Sequence, residues 1–359
     1  MTYGYSIEPR SEEPLVQLIE RMMENINIAA APMTWAVDIL PPLKYLPRWF
    51  PGTKFLDTAR QIRRVNQMAL NTPFSFVQRQ MDTSETYRRS YLSSHLEQQT
   101  RGDNGKITLS TEEEDALKLT AGAMYGGAAD TTFATLSSFV LAMILFPEVQ
   151  RKAQMEIDRV IGSDRLPNFG DQDRLPYIGA VVKEALRWMP VAPMGIGHMA
   201  TEALSYAGFS IPKGALILPA VWWFFHDPEV YPEPEIFKPE RFLAPQNSPD
   251  PTAHAFGYGR RVCPGRYLAT DSTYITIARI LAVFDISRGV DDKGAEIEPR
   301  VEPSVGPLSH PLPFAYRIRP RSKSHAVLVR TSEHEFPWEK GDSNELDTNA
   351  IEELLSNTL

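Results

Sequence analysis

Apolar residues recur at helical spacing over residues 12–29, where Leu15, Leu18, Ile19, Met22, Met23 and Ile26 form one stripe. The spacing predicts an amphipathic helix with one buried face. The period is lost over residues 30–52, which are apolar and proline-rich and carry Trp35 and Trp49. That stretch reads either as a packed connecting loop or as a surface dipping into a membrane interface, where tryptophan is favoured. The polar run Arg101-Gly-Asp-Asn-Gly105 separates this first part from the rest. The longest helix is predicted over residues 112–146. Glu112 to Asp115 place negative charge at its start, and Pro147 follows its end. From Leu119 to Phe146 the sole charge is Asp130. A charge at the centre of a membrane span costs about 2.5–3.5 kcal/mol. With glycines and hydroxyls beside Asp130, a helix through a protein core is the preferred reading.

Shorter helices are predicted over 148–162 and 174–189, and another over 266–284. Residues 204–220 read as a hairpin turning at Ala207-Gly208. Between Pro228 and Pro251, 7 prolines are interleaved with Tyr231, Phe237 and Phe242, which predicts an ordered coil. Short strands follow, ending near Val329. The fold class is mainly α with small β-sheets.

Charge divides the chain. Residues 332–359 hold 8 acids and one base, Lys340, so most of the net charge of -8 sits there. The expected division is a domain over 1–331 and an acidic, disordered tail over 332–359. The nearly neutral body does not suit nucleic acid. No apolar leader opens the sequence. A single cysteine excludes an internal disulfide and a cysteine-rich zinc site.

That cysteine lies in Phe256-Gly-Tyr-Gly-Arg-Arg-Val-Cys263-Pro-Gly265, a glycine-rich turn leading into a helix. The positive end of a helix suits an anion, here a thiolate. Arg260 and Arg261 add positive charge, and Phe256 can cover the loop. A lone cysteine is more often a small buried hydrophobe, so its neighbours carry the sharper reading: a soft ligand for a metal centre. Upstream, Glu184 and Arg187 share one helical face, as many surface pairs do. Asp130-Thr131 places an acid and a hydroxyl inside an apolar helix, which is either a satisfied polar pair or a functional one.

Position for position, Phe256-x-x-Gly259-x-Arg261-x-Cys263-x-Gly265 resembles the heme-binding signature of the cytochrome P-450 family. The resemblance implies Cys263 as the axial iron ligand. It implies Phe256, Gly259, Arg261 and Gly265 as cofactor-binding residues, with Arg261 and His198 on the heme propionates. Glu184 and Arg187, joined by Arg241 of Pro239-Glu-Arg241-Phe242, match the family's structural network. Gly127-Ala-Ala-Asp130-Thr131 resembles its oxygen-activation motif, in which the acid and the threonine relay protons. Ala128 departs from the usual glycine there.

The resemblance thus implies a monooxygenase with heme b (iron protoporphyrin IX). It would use O2 and an NADPH-dependent flavoprotein reductase to act on a small apolar substrate. Fungal secondary-metabolism members are similar, and Tyr45-Leu-Pro-Arg-Trp-Phe-Pro51 points the same way. Such members sit on the endoplasmic reticulum membrane, with residues 29–52 as a peripheral contact here. Relative to the family, the chain is expected to lack an N-terminal portion of roughly a third, including the anchor. Two other readings stand beside the monooxygenase: a heme-thiolate isomerase or dehydratase, and a non-enzymatic remnant unable to hold heme.

Overall fold

The computed structural model describes residues 1–31, 34–83, 86–99 and 107–356. The polar run 101–105 lies outside them. In chain order the helices begin with α1 (Pro14–Ala30), α2 (Ala36–Ile39), α3 (Lys54–Thr83), α4 (Tyr91–Leu96) and α5 (Thr111–Leu145). Next come α6 (Pro147–Val160) and α7 (Pro176–Trp188). Strands β1 (His198–Met199), β2 (Leu204–Tyr206), β3 (Phe209–Ile211) and β4 (Leu216–Ile217) follow. After them come α8 (Val221–His226), α9 (Thr252–Ala255) and α10 (Arg266–Val283). Strands β5 (Phe284–Arg288) and β6 (Tyr316–Pro320) precede α11 (Lys323–Glu335) and α12 (Thr348–Ser356). The described sheets are three antiparallel pairs, β1–β4, β2–β3 and β5–β6. The mainly α expectation holds.

The chain forms two compact units, Met1–Asp130 with Phe336–Leu359, and Thr131–Glu335. This grouping differs from the division expected at 331/332. In the first unit α1 buries Leu15, Leu18, Ile19, Met22 and Met23, the stripe read from the sequence, and pairs with α3. Helix α3 lies outside the predicted elements. Its stripe of Val65, Ala69, Phe76 and Val77 is buried at helical spacing, but Pro73 interrupts the pattern. The acidic tail departs from the expected disorder. Its apolar minority, Leu346 and Ile351, is buried, and that burial orders α12.

The second unit holds the larger core. Phe139 and Leu141–Ile144 of α5 pack with α6, α7 and α10 through Ala153, Ile157, Val181, Ala185, Ile277 and Leu281. Helix α5 is, among the described residues, the one long and apolar enough to cross a membrane, with 44% of its most apolar window buried. Its C-terminal third lies in this core, whereas Leu119, Met124 and Phe133 earlier in the helix are exposed. Ser110 and Glu113 cap its start: the Glu113 amide donates to Ser110 Oγ at 3.2 Å, and the Ser110 amide donates to Glu113 Oε2 at 2.9 Å.

The hairpin turns where the sequence placed it. Ala207 and Gly208 both have positive φ, 49° and 83°, which is the two-residue turn matched to strand twist. One expectation fails after β5. The last strand ends at Pro320, and residues to Val329 are helical in α11 instead of extended. There Val327 is exposed, while Leu328 and Val329 pack on the core.

Candidate functional site

The cysteine loop is closed on itself. Helix α9 ends at Phe256, whose carbonyl accepts the Cys263 amide at 2.8 Å. Between these two, the Arg261 amide donates to the Tyr258 carbonyl and the Val262 amide to the Gly259 carbonyl, each at 3.2 Å. Gly257 and Gly259 hold φ of 75° and 58°, conformations that bulkier residues resist. The loop therefore stands on backbone hydrogen bonds, with the Tyr258 hydroxyl also 2.9 Å from His254 Nδ1. Gly265 is the N-cap of the 18-residue α10. A Cβ built there would lie 3.8 Å from Cys263 Sγ, in contact with the sulfur. Cys263 is half-buried.

The donor chemistry can be tested against the group that the resemblance implies. Among the described residues no three His, Cys, Asp or Glu side chains cluster as metal ligands. One sulfur alone does not satisfy an iron ion. Its remaining ligands have to come from the prosthetic group itself, as a macrocycle supplies them. The residues present fit heme.

Arg261 and His198 are exposed, and neither side chain has an ion-pair or hydrogen-bond partner among the described residues. His198 sits in β1, opposite Ile217 of β4. Its approach is fixed by Gly195, at φ 55°, where a side chain would overlap the Pro219 ring. Asp130 and Thr131 occupy consecutive positions of α5, both partly buried. Asp130 belongs to the first unit and Thr131 to the second.

The structure does bring Glu184, Arg187 and Arg241 together. Arg187 donates to Glu184 through Nε at 2.7 Å and Nη2 at 2.9 Å. Arg241 Nε donates to Glu184 Oε1 at 3.1 Å, and the Lys238 amide reaches the same oxygen at 2.8 Å. All three side chains are essentially buried. One carboxylate cannot neutralise two guanidinium groups, and the proline-rich coil supplies the rest. Carbonyls of Pro234 and Phe225 accept from Arg187, and those of Pro232, Glu233 and Ile236 accept from Arg241. Proline lacks an N–H but keeps its carbonyl, so such a coil is rich in acceptors without donor partners. Burial lowers the Arg241 pKa, against the pull of Glu184.

His226 was not singled out by the sequence. It is buried on α8, with Nδ1 2.9 Å from the Trp222 carbonyl and its ring stacked 4.3 Å from that of Trp222. Burial holds its pKa below the ordinary value. Its cue in the sequence is the aromatic run Trp222–Phe225 just before it, which carries no charge and no helical period.

Comparison with known proteins follows the same line. The Cytochrome P450 family profile matches residues 3–314. Cytochrome P450 monooxygenase CLM2 of Gibberella zeae is 49% identical over 351 residues, 98% of this chain and 66% of its own length. Multifunctional cytochrome P450 monooxygenase af510 of Aspergillus fumigatus is 47% identical over 93% of this chain and 62% of its own. Cytochrome P450 monooxygenase claR of Ampulloclitocybe clavipes is 46% identical over 96% and 63%. The chain thus spans a little under two thirds of the length of the curated relatives it matches. With the cysteine loop, the buried Glu–Arg–Arg network and these relatives agreeing, the chain belongs to the cytochrome P450 family.

Proposed function

We propose that the chain carries the heme-thiolate centre of a monooxygenase that acts on a small apolar compound in fungal secondary metabolism. The observation that carries this is the Cys263 loop: one half-buried sulfur, closed by the Cys263–Phe256 backbone bond and kept open by Gly265. Heme b, when bound, supplies the oxidising chemistry on O2. Cys263 Sγ is its protein ligand. Arg261 offers a guanidinium and His198 a ring N–H to the propionates, and neither has another side-chain partner among the described residues. Phe256 shields the loop backbone from water.

Asp130 and Thr131 handle protons. In the motif that the sequence resembles, Thr131 stands for the hydroxyl of the relay and Asp130 for its acid. Met194 and Ile196, in the Val191–His198 stretch, offer exposed apolar surface to a substrate. Electrons come from an NADPH-dependent flavoprotein reductase.

Residues 34–50 support a peripheral contact with the endoplasmic reticulum membrane. Trp49 is 81% and Tyr45 80% exposed, beside exposed Ile39 and Leu40 and the cations Lys44 and Arg48. Aromatic and basic residues together suit a lipid headgroup interface.

The test is a spectrum. The heme-loaded chain is reduced and exposed to carbon monoxide, and the red-shifted Soret band of thiolate ligation is expected. Cys263→Ala should abolish it. Heme binding with an unshifted band in both proteins would remove the thiolate from the reading. Oxygen-dependent NADPH consumption coupled to product then distinguishes a monooxygenase from an isomerase or dehydratase.

A further inference from the structure

The C-terminal acidic segment has no part in the site above, yet it is bound tightly within the first unit. Its contacts bridge more than 250 residues of sequence. The Ser6 amide donates to Asp342 Oδ2 at 2.7 Å, and the Asp342 amide returns a bond to the Ser6 carbonyl at 3.0 Å. Ser6 Oγ donates to Glu339 Oε2 at 3.2 Å. Arg88 stands between the two acids, 2.5 Å from Glu339 and 3.7 Å from Asp342. Arg79 and Gln80, in the last turns of α3, donate to the Glu345 carbonyl and carboxylate at 2.7 and 2.6 Å. Between these anchors Gly341 passes against Glu8: a Cβ there would lie 2.9 Å from Glu8 Cβ and 3.0 Å from the Glu8 amide nitrogen. Beyond them Leu346 and Ile351 are buried, and α12 contacts α1.

We infer that residues 339–356 are an ionic clasp, a conformational device that fastens the flank of α1 to the end of α3 and loosens as salt rises. The anchors are of two kinds. The α1–α3 contact itself is apolar, through Leu18, Met22, Val65 and Ala69, and salt does not weaken it. The charged part of the clasp is one part-exposed arginine, Arg88, held against the Glu339 and Asp342 carboxylates, and that contact is screened. The two layers therefore separate as ionic strength increases. Leu346 and Ile351 give the clasp its register, and the acids give it its sensitivity.

Peptide-resolved hydrogen exchange on the full chain tests this, at about 0.01 M and about 1 M salt, where the screening length falls from about 30 Å to about 3 Å. Residues 336–356 and 3–13 should lose protection by roughly three- to ten-fold at high salt, while α3 and α7 hold theirs. Arg88→Glu at low salt should reproduce that pattern. Gly341→Val, which leaves every charge in place, should open the segment at both salt levels. A tail unprotected at low salt overturns the clasp. Protection indifferent to both salt and Arg88→Glu assigns it to apolar packing and overturns its ionic character. The wild-type titration needs no variant to fold.

Discussion

Arg241 and Glu184 lie 57 residues apart in sequence and meet at 3.1 Å with both side chains buried. Arg187 grips the same carboxylate from one helical turn away. The single carboxylate is thus the hub of the network. Glu184→Leu strands two buried guanidinium groups and should lower unfolding free energy by about 3–5 kcal/mol. Exchanging all three for apolar residues of similar volume should cost less than the sum of the single losses. Urea midpoints of the single and triple variants measure both. A Glu184→Leu loss near zero would show that the carbonyls of the proline-rich coil suffice alone.

His226 carries a pH signature. Burial depresses its folded pKa, and the neighbouring Arg187 adds to this against the Trp222 carbonyl. An unfolded histidine protonates near pH 6.5. Above that value the imidazole is neutral in both states, and the contribution is fully present. As pH falls below it, the unfolded chain takes up a proton first, and stability is lost down through the folded pKa. His226→Gln should flatten this part of the stability–pH curve. Parallel curves for the two proteins between pH 7 and about 5 would contradict the assignment.

Gly265 is predicted to matter for access to the sulfur and not for the fold. Its φ of -85° is open to any residue, and its nearest contact to a built Cβ is Cys263 Sγ at 3.8 Å. Gly265→Leu should keep the thermal midpoint within a few degrees while heme retention drops at least ten-fold. Circular dichroism and heme absorbance on one sample read both. Equal loss of fold and heme would make the glycine structural.

Gly195 behaves oppositely. Its φ of 55° strains any side chain, and Pro219 blocks the Cβ direction. Gly195→Ala should destabilise the chain by about 1–3 kcal/mol. It should also disturb the β1–β4 pairing that presents His198. Hydrogen exchange at Met199 and Leu216 is the local readout, and unchanged protection there would count against it.

Much of the fold was legible from local chemistry. Helix α1, helix α10 and the Ala207-Gly208 turn follow from spacing and turn residues that act within a few positions. The cysteine loop is equally local, because its closing bond spans only Phe256 to Cys263. Helix α3 was harder to read, since Pro73 breaks its stripe and arginines dilute it. The aromatic run of α8 gave no periodic cue, so His226 went unread.

What the sequence showed by itself is therefore the identity and order of the candidate residues along the chain: the sulfur, the acid–hydroxyl pair, and the charged residues of the network. What only the tertiary structure decided is which groups satisfy one another across long separations. The carbonyls of residues 232–236 that complete the arginines, and the Ser6 and Arg88 contacts that order the acidic tail, are such cases. The physical reason is the same in each. A buried charge or an orphaned carbonyl must find a partner, and when that partner lies far away in sequence, no local pattern names it.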